Sequence, residues 1–205
     1  MKGNIVDKTK DKYLEYQRRH QEILDAAIKL FNSKGYVATT TARIAKNAHV
    51  TERTIYGHFK NKQDLFMECV YSIIGKLLET WHKELEKNKK DDIGYIKAIA
   101  VSYVDFVINN PDKSMFLVHI FSYRVFPEFD DLVTKFLEGM IQSAEDAIDT
   151  MKAKGVSKSQ MNSRMLAGMF ISQYFSMVFV NEYVGKDFLT AETVVQMSKD
   201  LMKID

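Results

Sequence analysis

The stretch from Thr41 to Phe59 reads TARIAKNAHVTERTIYGHF. Ile44, Ala45 and Ala48 give its first part a short apolar face at helical spacing, and Ile55 and Phe59 do the same for its second. Threonines precede both parts. A threonine hydroxyl accepts from the free amides of a helix's first turn, so the run Thr39-Thr40-Thr41 and then Thr51 mark two helix starts. His49 and Val50 break the pattern between them. Two short helices about a tight turn make a helix-turn-helix. Ala45 is small enough for the helices to cross closely, and Ile55, ten residues on, plugs the core. His49 stands where the chain must turn with positive φ. Glycine does this most easily, and histidine does it at some cost.

Working outward, a helix is expected from about Arg18 to Lys34, with Ile23, Ala26, Ala27, Leu30 and Phe31 on one face and Gly35 as its stop. Residues before it, from Lys8 to Gln17, either extend that helix or form a basic arm. Asn61 caps the next helix, with Asp64 placed as in a capping box, and an apolar stripe from Leu65 to Trp81 carries it to about Leu85. Further helices are expected at 93–108, 112–122, 129–154 and 159–184, and Thr190 opens a last one ending near Lys203. Pro111 and Pro127 mark starts, while Gly155 and Gly185 mark stops. No period-two strand appears. Two prolines and nine glycines in 205 residues agree with an all-α protein.

Apolar residues make up 46% and charged residues 27%, which excludes bulk disorder. Charge divides the chain. Residues 1–62 hold 13 Lys/Arg against 6 Asp/Glu, and residues 63–205 hold 16 against 21. A basic front on an acidic body suggests that the front meets a polyanion. The expected domains are therefore 1–62, with an arm at about 1–17, and 63–205. The single cysteine, Cys69, excludes an internal disulfide and any Cys-based zinc site, and it reads as a buried thiol. The charged N-terminus has no apolar leader, so a cytoplasmic protein is expected.

The segment Arg18–Phe66 resembles the N-terminal domain of the tetracycline-repressor (TetR) family. The resemblance lies in Ile23-Leu24-Asp25-Ala26-Ala27, Leu30-Phe31, Gly35-Tyr36, Thr39-Thr40, Ile44-Ala45, Thr54-Ile55-Tyr56, His58-Phe59 and Lys62. It implies an all-helical homodimer with an N-terminal three-helix DNA-binding domain and a larger helical ligand-binding and dimerisation domain. It also implies a transcriptional repressor that leaves a palindromic operator when a small molecule binds the C-terminal domain.

In a helix-turn-helix the second helix enters the major groove, led by its N-terminal residues. These are Thr51, Glu52, Arg53 and Thr54. A guanidinium bonds guanine in bidentate fashion, so Arg53 is the candidate base reader, with a solvated arginine or a phosphate contact as its alternatives. Tyr56 and Lys62 match family positions that hold phosphates. Thr40 and Thr41 suit an anion at a helix start, and Arg43 adds charge. His58 matches a common family residue, with a packed histidine as the alternative. Gly57 costs the recognition helix about 1 kcal/mol relative to alanine.

From Met165 to Val180 nearly every residue is apolar, but Ser172, Gln173 and Ser176 interrupt the run, which is short for a membrane span. A helix apolar all round is buried on all sides, one side on its own bundle and another on a second subunit. Met165, Gly168, Met169, Ser172, Ser176, Phe179, Val194, Met197 and Leu201 are the candidates for that interface. An intrachain core is the alternative for the small residues. Trp81, Tyr95, Tyr103, Phe106, Phe116, His119, Phe121, Phe126, Phe170, Tyr174 and Met177 are candidates to line a cavity for an apolar or aromatic molecule, as against a plain core. Asn109, Gln173 and His119 are possible polar handles.

Three classes compete with a ligand-responsive regulator. An enzyme is disfavoured, because the chain has no glycine-rich phosphate loop, no H-E-x-x-H and no G-x-S-x-G. Its five histidines, His20, His49, His58, His82 and His119, lack metal-ligand spacing, so no metal or cofactor is expected. A ligand-independent DNA organiser would share the head, and a protein-interaction module would turn the basic head to another protein.

Overall fold

Threonine or asparagine side chains cap the helices that begin at Thr41, Glu52, Lys62, Ser163 and Ala191. The computed structural model describes residues 3–122, 126–185 and 190–205, and the side chains of these except at 3–9, 121 and 122. Among the described residues all regular structure is helical: α1 (Gly3–Ala38), α2 (Thr41–Asn47), α3 (Glu52–His58), α4 (Lys62–Asn88), α5 (Gly94–Asn109), α6 (Pro111–Ser122), α7 (Pro127–Ala153), α8 (Ser163–Tyr183) and α9 (Ala191–Met202). The chain forms two compact units, Met1–Ile73 and Ile74–Asp205. The division expected at residue 62 meets the start of α4, and the units themselves part later, inside that helix.

Several boundaries differ from the sequence reading. The helix expected from Arg18 begins at Gly3, so residues 8–17 extend it. α1 is broken at Gly35, whose φ of 75° and ψ of 167° suit glycine alone, and helical structure resumes to Ala38. α8 starts at Ser163 and not at Ser159, because the Asn162 side chain accepts from the Met165 amide at 3.1 Å and fixes the start there. α4 runs on to Asn88 and a tight turn follows. A Cβ at Gly94 would lie 2.0 Å from the Asn88 carbonyl oxygen, so only glycine fits where α5 begins.

In the first unit the core comes from one face of each helix. Ile23, Leu24, Ala27, Ile28 and Phe31 of α1 are buried with Ile44 and Ala45 of α2, Ile55 of α3, and Leu65, Phe66, Cys69, Val70 and Ile73 of α4. Phe31 meets Phe66 edge-on at 5.1 Å, and the buried Cys69 thiol donates to the Leu24 carbonyl at 3.8 Å. In the second unit α7 packs on α8, α5 packs on α6 and α9, and α6 and α9 also contact α8. Its core includes Ile96, Ala100, Ala144, Ile148, Leu166, Ala167, Phe170 and Val194. Among the described residues no helix is long and apolar enough to cross a membrane, and no group of three His, Cys, Asp or Glu could hold a metal ion.

Candidate functional site

The turn between α2 and α3 is built as the residue pattern requires. Ala45 is 4% exposed, and its carbonyl accepts from the Val50 amide at 2.9 Å. His49 takes the positive φ, at 54°. Thr40 caps α2 by accepting from the Arg43 amide at 3.3 Å, and Thr51 caps α3 by accepting from the Thr54 amide at 3.1 Å. Ile55 and Phe59 point inward, which turns Glu52, Arg53 and Tyr56 outward. A Cβ at Gly57 would meet nothing within 4 Å.

The exposed face is tied together before any partner arrives. The Thr41 hydroxyl donates to the Glu52 carboxylate at 2.7 Å and lies 3.2 Å from the Tyr56 hydroxyl. One threonine thus links the first turn of α2 to two turns of α3. Arg43 folds back, with Nη1 donating to the Ala38 carbonyl at 3.3 Å. Thr54 is half-buried and shares a 2.9 Å hydroxyl contact with Thr51, so its first role is in the cap.

Lys62 and His58 are turned inward. The Lys62 ammonium donates to the Tyr36 and Thr39 carbonyls at 2.9 and 3.0 Å, closing the end of α1, and burial pushes its pKa down. Two of its three donors are engaged by these carbonyls. His58 stacks on Tyr16 at 4.1 Å and lies 5.5 Å from His20. Burial first, then His20 and Arg19, hold its imidazole below the usual histidine range. Neither Tyr16 nor Thr39 is among the site residues that the sequence suggests. Tyr16 and His20 stand four apart, a spacing that marks one face once the helix is known to extend.

The second unit encloses a small cavity of about 70 Å³. Its wall takes Leu77, Leu78 and Trp81 from α4, and Tyr95, Ile99, Ser102, Tyr103 and Phe106 from α5. α6 adds Ser114, Leu117 and Val118, α7 adds Phe136 and Met140, and α8 adds Ile171, Tyr174, Phe175 and Val178. Burial pushes the Tyr95 phenol up to about 12 and the Tyr103 and Tyr174 phenols higher still, so all three stay neutral.

Of the residues expected on the wall, Trp81, Tyr95, Tyr103, Phe106 and Tyr174 are there; Phe116, His119, Phe126, Phe170, Gln173 and Met177 are not. Phe170 and Met177 occupy the neighbouring face of α8, inside the core. Gln173 donates to the Ser198 hydroxyl of α9 at 2.9 Å. Phe116 is fully buried on another face of α6 and His119 is half-buried there, while Phe126 leads into α7 against Phe129. Asn109, a possible handle, is exposed and donates to Asp105 at 2.8 Å. The Phe121 side chain lies outside the described residues.

A third face of α8 is open. Met165, Met169, Ser172, Ser176 and Phe179 are exposed on it, and Gly168 is half-buried. Val180 and Tyr183 prolong it, and Met197 of α9 is exposed as well. Val194 does not join them: with Ser198 it forms the fully buried side of α9. Leu201 is half-buried against the same core.

The profile described as bacterial regulatory proteins, tetR family, matches residues 23–69, which carry the whole helix-turn-helix. The HTH-type transcriptional regulator YvkB of Bacillus subtilis, itself uncharacterized, is 30% identical over 186 residues, covering 89% of this chain and 90% of that protein. The chain belongs to the TetR family. This TetR-family protein is also 34% identical over 113 residues to the transcriptional regulator AcrR of Shigella flexneri, covering 52% of this chain and 50% of AcrR. Among solved structures, AibR, in complex with isovaleryl coenzyme A and operator DNA, shares its fold. The TM-score is 0.68 at 17% identity, over 91% of this chain and 100% of that one. YvkB and AcrR are both named as HTH-type transcriptional regulators.

Proposed function

We propose that this DNA-binding regulator acts as a homodimeric repressor, released from a palindromic operator when a small apolar or aromatic molecule enters the cavity of the second unit. In this reading Arg53 reads a base edge, flanked by Thr51, Glu52 and Thr54. Thr40, Thr41, Tyr56 and the third donor of Lys62 hold phosphates, with Arg43 adding charge. His58 fixes the end of the recognition helix and does not touch DNA. The open face of α8, with Met197 of α9, pairs with a second copy; a dimer of this kind reads half-sites about one helical turn apart or slightly more.

The observation that carries the reading is the course of α4. Its first residue, Lys62, closes the end of α1, and Leu65, Phe66, Cys69, Val70 and Ile73 lie in the core of the first unit. Its later residues Leu77, Leu78 and Trp81 form part of the cavity wall. A molecule that displaces the wall therefore acts on a helix that the DNA-binding unit also uses, and it shifts the equilibrium by its differential affinity for the two arrangements.

The size of the cavity favours a second reading. About 70 Å³ is well below the roughly 300–1,000 Å³ of ordinary ligand sites. A ligand-independent DNA-organising protein would need no more. A thermal-shift screen of apolar compounds separates the two, since a cognate molecule raises the melting temperature of a sensor. The repressor reading expects at least one compound that both stabilises the protein and lowers its operator affinity. Stabilising compounds that leave operator affinity unchanged would favour the organiser.

A further inference from the structure

We propose that the cavity takes a neutral, largely apolar molecule bearing a hydrogen-bond acceptor, and that the indole N–H of Trp81 donates to that acceptor. The inference rests on the effector reading above and narrows the effector's chemistry.

Three features of the wall carry it. First, among the described residues none of its side chains is charged. An ion brought in would lose its hydration without gaining a partner, which excludes carboxylates, phosphates and ammonium groups from the cavity. Second, three of its five hydroxyls are already committed as donors to backbone carbonyls. Ser102 donates to Ala98 at 2.7 Å, Ser114 donates to Asn110 at 3.0 Å, and Tyr103 donates to Tyr174. The Tyr174 hydroxyl has no partner at hydrogen-bond distance among the described residues, and Gln173 and Ser198 lie beside it.

Third, Trp81 Nε1 is buried with no hydrogen-bond partner among the described residues. An indole nitrogen only donates, so the missing partner is an acceptor. Tyr95 meets the indole edge-on at 5.9 Å, and its own hydroxyl is engaged with Ser143. Water is a poor substitute, because it needs two to four polar partners and most of this wall is apolar. A ligand carbonyl, ether or ester oxygen satisfies the indole while its hydrocarbon part meets Leu77, Leu78 and Met140. The space is small, so those flexible side chains give way as the molecule enters.

Trp81 is the only tryptophan, so the labelled full-length protein has a single indole N–H resonance. Three probes of one shape separate the terms: propylbenzene, the ketone propiophenone, and 3-phenylpropanoate. By calorimetry propiophenone binds at least about tenfold more tightly than propylbenzene, and the carboxylate does not bind. The ketone moves the indole proton downfield, and the hydrocarbon does not. In Trp81→Phe the preference for the ketone disappears. Should that variant fail to fold, the resonance shift in the unaltered protein decides by itself. Equal binding of hydrocarbon and ketone, with no downfield shift, overturns the acceptor inference and leaves the effector reading standing. Tighter binding of the carboxylate overturns neutrality. Failure of all three to bind overturns the cavity as an effector site, and the inference with it.

Discussion

The Lys62 ammonium lies 2.9 Å from the Tyr36 carbonyl oxygen and 4.2 Å from the centre of the Tyr36 ring. The first residue of α4 thus closes the end of α1. The same end holds Thr39, whose buried hydroxyl donates to the Gly35 carbonyl at 2.7 Å just before the α2 cap. Lys62 therefore sets the entry to the helix-turn-helix, apart from its proposed phosphate contact. Lys62→Met keeps the stem and removes the charge. It is expected to cost about 1–3 kcal/mol in urea unfolding. It should also weaken binding to operator and random duplexes alike and lower the salt slope by about one. Unchanged stability with an unchanged slope would contradict both roles.

Arg53 is exposed at the front of α3 and makes no part of the core. Arg53→Ala should leave stability within about 0.5 kcal/mol. It should relax preference at one base pair per half-site by about 1–3 kcal/mol. Binding to a set of single-position operator variants reads this directly. A uniform loss across all positions would reassign Arg53 to phosphate.

His58 gives the DNA-binding unit a pH dependence. Tyr16 and His20 of α1 face its ring, Arg19 acts on it through charge, and Glu68 of α4 lies 3.9 Å from His20. Burial, His20 and Arg19 push the imidazole below its usual 6.5. The unfolded chain then binds the proton better than the folded one. Stability is full above about pH 6.5 and falls as pH drops below it. Melting temperatures should decline between about pH 7.5 and about pH 5, and His58→Phe should flatten that decline. A variant as steep as the parent would remove His58 from the account.

The open face of α8 offers a separate test. Met169 is 43% exposed, and its neighbours along the face are apolar or small. In the proposed dimer Met169→Glu places like charges across the two-fold axis. Sedimentation should show monomer, and operator affinity should fall by about a hundredfold as the linkage between the two heads is lost. A dimer unaffected by the charge would move the interface elsewhere.

The DNA-binding head was legible because its signals are local. Thr40 and Thr51 cap within three residues, and Ala45, His49 and Ile55 stand at fixed offsets in one short run. The cavity was legible only in part, for a reason visible in α8. Ile171, Tyr174, Phe175 and Val178 line the cavity, Phe170 and Met177 enter the core, and Met169, Ser172 and Ser176 face outward. Each set keeps helical spacing and differs from the next by a rotation of one residue. A helix apolar all round has no polar face to fix that rotation, so tertiary packing decides it. Tyr95, Ile99, Ser102, Tyr103 and Phe106 share one face of α5, and that spacing would have marked the wall. The late start of α8 turned on one hydrogen bond from the Met165 amide to Asn162.

Two copies of α3 reading one duplex is the central claim, and selection of bound sequences from a randomised duplex pool tests it most directly. The account predicts an inverted repeat with half-sites about one helical turn apart or slightly more, bound by an even number of chains in native mass spectrometry. Recovery of no common sequence above a heparin-competed background, or of one unrepeated half-site bound by a single chain, would contradict it.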